Sequence, residues 1–280
     1  LHRIACRVAD AFFGEEIEPE TLRRIVRDTF CFDIPAVRVD DGIWALELFH
    51  GPTMAFKDVG ARFMARILSH FIEGRDDEHP VTVLVATSGD TGKAALAGFA
   101  DAPGTGITVF YPEGKVSRVQ NLQMSTQEGD NVAVCGIRGN FDDAQSAVKR
   151  IFTDEDTRAA LDKDGMMLSS ANSINWGRLA PQIAYYVSAY CDMVKVGTIR
   201  QGDKINVCVP TGNFGNILAA YIAKQMGLPV NKFICASNRN NVLTDFFKKD
   251  GEYNRNRDFY TTTSPSMDIL ISSNLERLLF

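Results

Sequence analysis

The sequence predicts an α/β protein with doubly wound, parallel sheets. Three successive segments have the pattern of a strand followed by a helix, with the strands at 81–86, 107–111 and 132–137. The first strand is a run of apolar and mainly β-branched residues, which is typical of a parallel strand covered on both faces. A fourth strand, at 205–210, leads through a glycine-containing turn into another helix.

The other elements follow from apolar periodicity. We expect helices at 1–13 and at 19–30, the second of which begins at Pro19. A strand at 43–49 and a helix at 59–72 should follow, with Phe71 on the buried stripe of that helix. The remaining predicted elements are helices at 91–100, 116–126, 141–152, 154–164, 174–193, 216–226 and 242–249 and a strand at 232–236.

Composition excludes several classes of function. The chain has 280 residues, of which 45% are hydrophobic and 23% are charged, so it can bury a large core. A net charge of −5 gives no basic surface for nucleic acid, and no apolar run has the ~20 residues of a membrane helix. The four histidines lack metal-ligand spacing, so no metal site is expected. Six scattered cysteines indicate buried free thiols in a reducing compartment, and we expect a cytoplasmic protein.

The central motif is FHGPTMAFKD at residues 49–58, where a strand pattern passes into a helix pattern. Lys57 lies at this junction, next to Asp58, which is a good N-cap residue. The positive end of the helix dipole and partial burial both lower the pKa of a lysine, and a neutral lysine can form a Schiff base with an aldehyde cofactor. Taken alone, Lys57 is more readily explained as a surface lysine in the first turn of a helix.

Two turns offer sites for anions. PTGNFGN at 210–216 joins a strand to a helix, and its glycines allow backbone amides to converge on a phosphate. TSGDTG at 87–92 also opens a helix and adds hydroxyl groups that can bind a carboxylate. The alternatives are an ordinary strand–helix turn and N-capping by Asp90. A nucleotide loop is excluded because Ala94 replaces the required Ser or Thr and the glycine spacing is too short.

A third polar segment, SSANSINWGR at 169–178, enters a helix. Its Asn and Ser side chains are hydrogen-bonding groups, and Arg178 can bind an oxyanion with two parallel hydrogen bonds. Helix capping and an arginine salt bridge are the structural alternatives. His50, beside the central motif, either caps a strand or takes part in proton transfer.

FHGPTMAFKD, TSGDTG, SSANSINWGR and PTGNFGN together resemble threonine synthases of the bacterial and fungal type, in which they occur in the same order. The resemblance implies the tryptophan-synthase-β-like fold, fold type II, with two doubly wound three-layer α/β/α domains. It makes Lys57 the lysine that binds pyridoxal 5'-phosphate covalently. It assigns the cofactor's phosphate to Gly212, Asn213, Phe214, Gly215 and Asn216, and its ring hydroxyl to Asp90.

The same resemblance implies substrate contacts and a reaction. Thr87, Ser88 and Thr91 would bind the substrate carboxylate, and Asn172, Ser173, Asn175 and Arg178 would bind its phosphate. The reaction would be γ-elimination of phosphate from O-phospho-L-homoserine with β-addition of water, which makes L-threonine. The enzyme would be a carbon–oxygen lyase acting on phosphates, in threonine biosynthesis. We expect no nucleic-acid or membrane partner, and a monomer or homodimer.

The expected larger domain combines 1–80 with 170–280, the smaller spans 81–169, and the cofactor would lie in the cleft between them. Both ends look truncated, and a hydroxyl partner for the pyridine nitrogen is not found. The missing partner leaves a non-catalytic cofactor-binding fragment as one alternative. A serine/threonine dehydratase and a cysteine synthase-like enzyme share the fold and the glycine turns and are the others.

Overall fold

The computed structural model describes residues 1–75, 79–87 and 89–279, without the side chain of Asp142. These residues form two compact units. The first comprises Leu1–Arg23, Ile34–Glu47 and Leu179–Phe280, and the second comprises Arg24–Asp33 and Leu48–Arg178. This grouping joins residues 48–80 to the predicted smaller domain. As a division of the protein into domains, the expected bounds remain a prediction.

The second unit is built on a four-stranded, fully parallel sheet. Its strands are β3 (Val81–Ala86), β4 (Thr105–Pro112), β5 (Val132–Ile137) and β6 (Met167–Ser170), and their spatial order is β5-β4-β3-β6. The two central strands carry the most buried side chains, including Val83, Val85 and Val109. The three predicted strands are therefore confirmed. β6 was not predicted, because it is a four-residue edge strand that ends in two serines.

Helices alternate with these strands. In chain order they are α3 (Lys57–Glu73), α4 (Asp90–Phe99), α5 (Arg118–Ser125), α6 (Phe141–Thr153), α7 (Glu155–Lys163) and α8 (Trp176–Leu179). α4 consists mostly of small residues and packs closely on α3, where Ala95, Leu96 and Phe99 join the core beneath the sheet. Phe71 is 44% exposed, so its predicted place on the buried stripe of α3 is wrong.

The first unit begins with α1 (His2–Phe13) and α2 (Pro19–Thr29), the second of which runs on into the other unit. An antiparallel hairpin follows, made of β1 (Ala36–Asp40) and β2 (Ile43–Leu46). A parallel pair, β7 (Ile205–Pro210) and β8 (Val230–Ala236), alternates with three helices: α9 (Gln182–Lys195), α10 (Gly215–Gln225) and α11 (Val242–Lys248). A last short helix, α12, spans Glu276–Leu279.

Three further expectations need correction. The predicted helix at 174–193 is two helices, because Pro181 lacks an amide donor and disfavours a helical residue before it. β1 was missed because it is a short, largely exposed strand in a hairpin. The six cysteines are free thiols, but none is buried, and four of them are exposed.

Across the residues that the structure describes, no helix combines the length and apolar character that crossing a membrane requires.

Candidate active site

Lys57 is the first residue of α3 and is partly buried. Its Nζ lies 5.7 Å from the centroid of the Phe56 ring. Burial lowers the pKa of Lys57 to about 8, the nearby carboxylate of Asp90 opposes this effect, and Arg178 and Lys93 add to it. The direction agrees with the expectation from the sequence, and a larger fraction of this amine is neutral than in an ordinary lysine.

The turn before Lys57 is held by the buried carboxylate of Asp58. The backbone amide of Thr53 donates to Asp58 Oδ2 at 3.0 Å, and Thr53 Oγ1 donates to Asp58 Oδ1 at 2.5 Å. Asp58 is the second residue of α3 and reaches back over the turn, so its expected role as N-cap is wrong; the N-cap is Phe56. Burial raises the pKa of Asp58, while the hydrogen bonds from Thr53 partly offset that rise.

Thr53→Val is expected to destabilise the fold by about 2 kcal/mol at pH 8, the usual loss for a hydrogen bond to a buried charged group. When folding raises the pKa of a carboxyl, the folded protein becomes less stable as the pH increases through that pKa. Removing the hydroxyl raises the pKa further, so the loss is smaller at pH 5 than at pH 8. Urea unfolding at both pH values measures this difference, with Thr108→Val in β4 as the matched control. An equal loss at both pH values contradicts the prediction.

Asp90 is the first residue of α4 and forms the charged centre of this unit. Its Oδ1 lies 3.1 Å from Lys93 Nζ and accepts a hydrogen bond of 2.9 Å from Gln120 Nε2. Burial alone would raise the pKa of Asp90, but the charges of Lys57 and Lys93 and the hydrogen bond from Gln120 outweigh it, so the pKa is lowered. Asp90 therefore stays ionised at neutral pH. It does not cap α4, whose N-cap is Gly89.

Lys93 and Gln120 were not singled out from the sequence. Lys93 is only 7% exposed, and Gln120 only 6%. The three-residue spacing of Asp90 and Lys93 in an otherwise small-residue helix is a signal for such an ion pair. The contact between Gln120 and Asp90 joins residues 30 positions apart and leaves no local signal.

The turn after β3 is shaped by Thr87. Its buried hydroxyl accepts hydrogen bonds from the backbone amides of Gly89 and Gly92, each at 2.9 Å. Thr91 is the second residue of α4 and is partly exposed. Ser88 lies outside the described residues. The substrate contacts expected of Thr87, Ser88 and Thr91 stay predictions.

The segment at 169–178 contains both exposed and buried polar groups. Asn172 is exposed and Ser173 partly exposed, whereas Asn175 Oδ1 accepts a hydrogen bond from the amide of Gly177 at the start of α8. Arg178 is 5% exposed, and its Nη1 donates to the carbonyl of Ala171 at 2.7 Å. Burial lowers the pKa of Arg178 to about 10, which leaves it cationic at neutral pH. Arg178 thus has a structural contact, and the phosphate contacts expected here stay predictions.

In the first unit, the turn between β7 and α10 directs its carbonyl groups into the protein. The carbonyl of Gly212 accepts from Ser272 Oγ at 2.8 Å, and that of Asn213 accepts from both the amide and Nδ2 of Asn274. Within the described residues, the backbone amides of 212–216 donate no hydrogen bond. Backbone donors at a helix N-terminus suit a phosphate dianion, and the cofactor contacts expected of residues 212–216 stay a prediction.

Phe214 gives this turn its unusual backbone. Its φ of 65° lies in the left-handed region, while its side chain is 4% exposed and lies 6.3 Å from the ring of Phe247. At Gly212, an added Cβ would approach Ile269 Cγ1 at 2.8 Å and Met267 Cα at 3.3 Å. A glycine is needed at position 212 because the 267–269 segment passes so close. The strained backbone conformation of the turn lies at Phe214.

The side chains that support this turn come from residues 272–274 and were not predicted. Ser272, Asn274 and Ser273, whose Oγ lies 3.3 Å from Asn213 Oδ1, contact the turn from about 60 positions away in sequence. Asn216 is satisfied locally, since its Nδ2 donates to the carbonyl of Pro210 at 2.8 Å. Asn216 therefore offers its backbone amide to an anion.

These features fit pyridoxal phosphate. Lys57 provides an amine that is partly neutral at pH 7, and residues 212–216 provide unpaired amides for a phosphate. Asp90 provides a carboxylate with Oδ2 outside its two contacts to Lys93 and Gln120. The fold is that of a fold-type-II enzyme, a class that uses this cofactor.

A sequence profile described as "Pyridoxal-phosphate dependent enzyme" matches residues 22–277. The chain therefore belongs to the family of pyridoxal-phosphate-dependent enzymes. Within this family it is a homologue of the threonine synthases. It is 42% identical over 286 aligned residues to the threonine synthase of Eremothecium gossypii, which covers the whole of this chain and 52% of that protein.

The comparison with solved structures gives the same relationship to threonine synthases. The crystal structure of threonine synthase with bound pyridoxal phosphate from Brucella melitensis has 42% identity and a TM-score of 0.89, and covers 100% of this chain and 58% of that chain. "Threonine synthase-like 1" of Homo sapiens is 49% identical over 255 residues, which cover 88% of this chain and 34% of that protein. The chain thus spans between one third and three fifths of the length of these relatives.

Proposed function

We propose that this chain is the cofactor-binding part of a threonine synthase. The reaction converts O-phospho-L-homoserine and water into L-threonine and phosphate. The observation that carries the proposal is Lys57, placed at the start of α3 by the turn that Thr53 and Asp58 hold, with its pKa lowered to about 8. The likeness to threonine synthases over the whole chain selects the reaction within the family.

The lowered pKa of Lys57 matters for proton transfer. At pH 7 a lysine with a pKa of about 8 is neutral in roughly one molecule in ten, against roughly one in 2,500 at the ordinary pKa. Lys57 therefore combines a usable fraction of free amine with a usable fraction of ammonium. It takes a proton from Cα of the substrate and moves protons at Cβ, where water adds.

Bound pyridoxal phosphate would supply an electron sink for the electron pair released at Cα. The amides of 212–216 hold the cofactor's phosphate, because they are the unpaired donors at the N-terminus of α10. Asp90 would accept a hydrogen bond from the ring hydroxyl of the bound cofactor, and Oδ2 would be its acceptor because Oδ1 is held by Lys93 and Gln120.

The substrate contacts are assigned to the two polar segments at 87–92 and 169–178. The turn at 87–92 binds the substrate carboxylate through its hydroxyls, with Thr87 shaping the turn and Thr91 partly exposed at the start of α4. Asn172 and Ser173 are the accessible groups for the phosphate. Arg178 adds a buried positive charge beside them. Phosphate then leaves from Cγ into a cationic environment, which stabilises the developing charge.

Product analysis of the protein at its full natural length tests this function. Purified protein is supplied with pyridoxal phosphate and O-phospho-L-homoserine, and phosphate and threonine are measured together. We expect equal amounts of both. Phosphate release without threonine contradicts the proposed reaction.

Two other candidates share the fold, and assays of the same protein with their own substrates separate them. A serine/threonine dehydratase would convert serine or threonine into a 2-oxo acid and ammonia, and a cysteine synthase-like enzyme would form cysteine from sulfide and an O-activated serine whose leaving group is released from Cβ. The 49% identity to Threonine synthase-like 1 favours a third candidate, a cofactor-binding relative whose own activity its name does not state. Cofactor binding with no turnover of any of these substrates would support it.

Three further features belong to the proposal. The protein acts in the cytoplasm, consistent with six free thiols. It works as a monomer or homodimer on a small-molecule substrate. Its larger domain consists of 1–80 and 170–280, with 81–169 as the smaller one.

A further inference from the structure

Gln120 makes two different sets of hydrogen bonds with the two ends of its amide. Its Oε1 accepts from the backbone amide of Ser117 at 3.1 Å, while its own backbone amide donates to Ser117 Oγ, which completes a capping box at the start of α5. Its Nε2 donates to Asp90 Oδ1 at 2.9 Å. The acceptor end thus begins a helix, and the donor end holds a carboxylate of the candidate site.

The turn at 87–92 is shaped to receive this amide. Gly89 has a φ of 139°, which side chains rarely adopt, and a Cβ on Gly89 would overlap the carboxamide group of Gln120. The missing side chain of Gly89 therefore leaves the space in which Gln120 reaches Asp90. With a residual exposure of 6%, Gln120 makes this contact away from solvent, where a hydrogen bond to a carboxylate is stronger.

Lys93 binds the same oxygen from within α4, at 3.1 Å. Two donors on Oδ1 fix the orientation of the carboxylate, and Oδ2 accepts no hydrogen bond from the residues that the structure describes. We infer that Gln120 is a positioning residue, which together with Lys93 orients Asp90 so that Oδ2 is presented to the cofactor. This inference rests on the proposed function, in which Asp90 meets the ring hydroxyl.

One substitution separates the two ends of Gln120. Gln120→Glu keeps an acceptor for Ser117, and a glutamate at this position of a capping box is as suitable as a glutamine. It replaces the donor to Asp90 with a second carboxylate. If Gln120 only stabilises the start of α5, this substitution should leave the site unchanged. A positioning role predicts a large change in the site, because two carboxylates now face each other.

The test uses two measurements besides turnover. The first is the dissociation constant of pyridoxal phosphate, which we expect to rise about tenfold at pH 8 when a charge-assisted hydrogen bond is replaced by repulsion. The defect should shrink toward pH 5, because a proton shared by the two carboxyl groups restores a donor. The charged groups that act on Asp90 are Lys57 and Lys93. Arg178 acts on Lys57, and Asp58 interacts with Lys93.

The second measurement needs no cofactor. In the apoprotein, the pH midpoint for acetylation of Lys57, followed by mass spectrometry, should rise by about one unit in Gln120→Glu because the added negative charge favours the ammonium form. Ser117→Ala is the matched control. It removes the cap from α5 and keeps the amide–carboxylate contact, so it should lower the melting temperature and leave both site measurements unchanged.

The outcomes distinguish the inference from the proposed function. If the unsubstituted protein takes up no pyridoxal phosphate at Lys57, the proposed function fails. If the unsubstituted protein does bind the cofactor at Lys57, two results overturn the positioning role. One is that Gln120→Glu behaves like the unsubstituted protein, and the other is that Ser117→Ala shows the same site defect as Gln120→Glu. Should Gln120→Glu not fold, the double variant with Asp90→Asn reverses donor and acceptor and must restore folding and the Lys57 midpoint. A double variant that stays unfolded also overturns the inference.

Discussion

Lys57→Ala is expected to remove the visible absorbance of the protein-bound cofactor and to lower turnover by about 10³-fold or more. The reason is that no other group is proposed both to bind the cofactor covalently and to move the protons at Cα and Cβ. The pKa of about 8 makes both tasks possible at neutral pH. Absorbance spectra and phosphate release, measured on the same preparations, give the two readouts.

The matched control for this variant is Lys195→Ala. Lys195 is the exposed last residue of α9 and belongs to no part of the candidate site. Its replacement should leave spectrum and turnover unchanged. Substantial turnover by Lys57→Ala would remove Lys57 from the mechanism, and a loss in both variants would point to damaged folding.

The second large effect is expected for Gly212→Ala. An added Cβ would lie 2.8 Å from Ile269 Cγ1 and 3.3 Å from Met267 Cα, so the turn or the 267–269 segment must shift. Because Ser272 and Asn274 bind the carbonyls of 212 and 213, a shift also moves the backbone amides of the same turn. We expect the affinity for pyridoxal phosphate to fall about 100-fold, the size of effect produced by losing one good donor to a charged group.

Gly106→Ala tests whether this effect is specific. Gly106 lies in β4, and a Cβ there would meet Thr82 Oγ1 at 3.5 Å, which is an ordinary contact. The control should keep both cofactor affinity and melting temperature. Unchanged affinity in Gly212→Ala, measured by fluorescence titration, would show that the amides of 212–216 do not hold the phosphate.

The sequence predicts the main parallel strands of both units well because these strands are mostly apolar runs. β3, β5 and β7 have the bounds expected from such runs. Short edge elements are harder to predict: β6 has four residues and gains its identity only by pairing with β3, and β1 is paired only in an exposed hairpin. The break between α8 and α9 at Pro181 could have been predicted, since proline cannot donate within a helix.

The candidate site likewise has parts that the sequence predicts and parts that it does not. Lys57, Asp90 and the turn at 212–216 were predicted, because each lies at a strand–helix junction where backbone amides and functional groups meet. Their supports were not. Gln120 reaches Asp90, and Asn274 reaches Asn213, only through folding contacts between positions 30 and 61 residues apart. Asp58 shows why local rules fail at the site itself: its carboxylate binds Thr53 across the turn and leaves the capping position to Phe56.

The most direct test of the central claim is to trap the cofactor on its lysine. The protein is saturated with pyridoxal phosphate and reduced with borohydride, which converts a Schiff base into a stable secondary amine, and the modified residue is located by peptide mass spectrometry. We predict one pyridoxyl group per chain, on Lys57 in the sequence Phe56-Lys57-Asp58. A label on Lys93 or any other lysine, or bound cofactor that leaves Lys57 unmodified, would contradict this account.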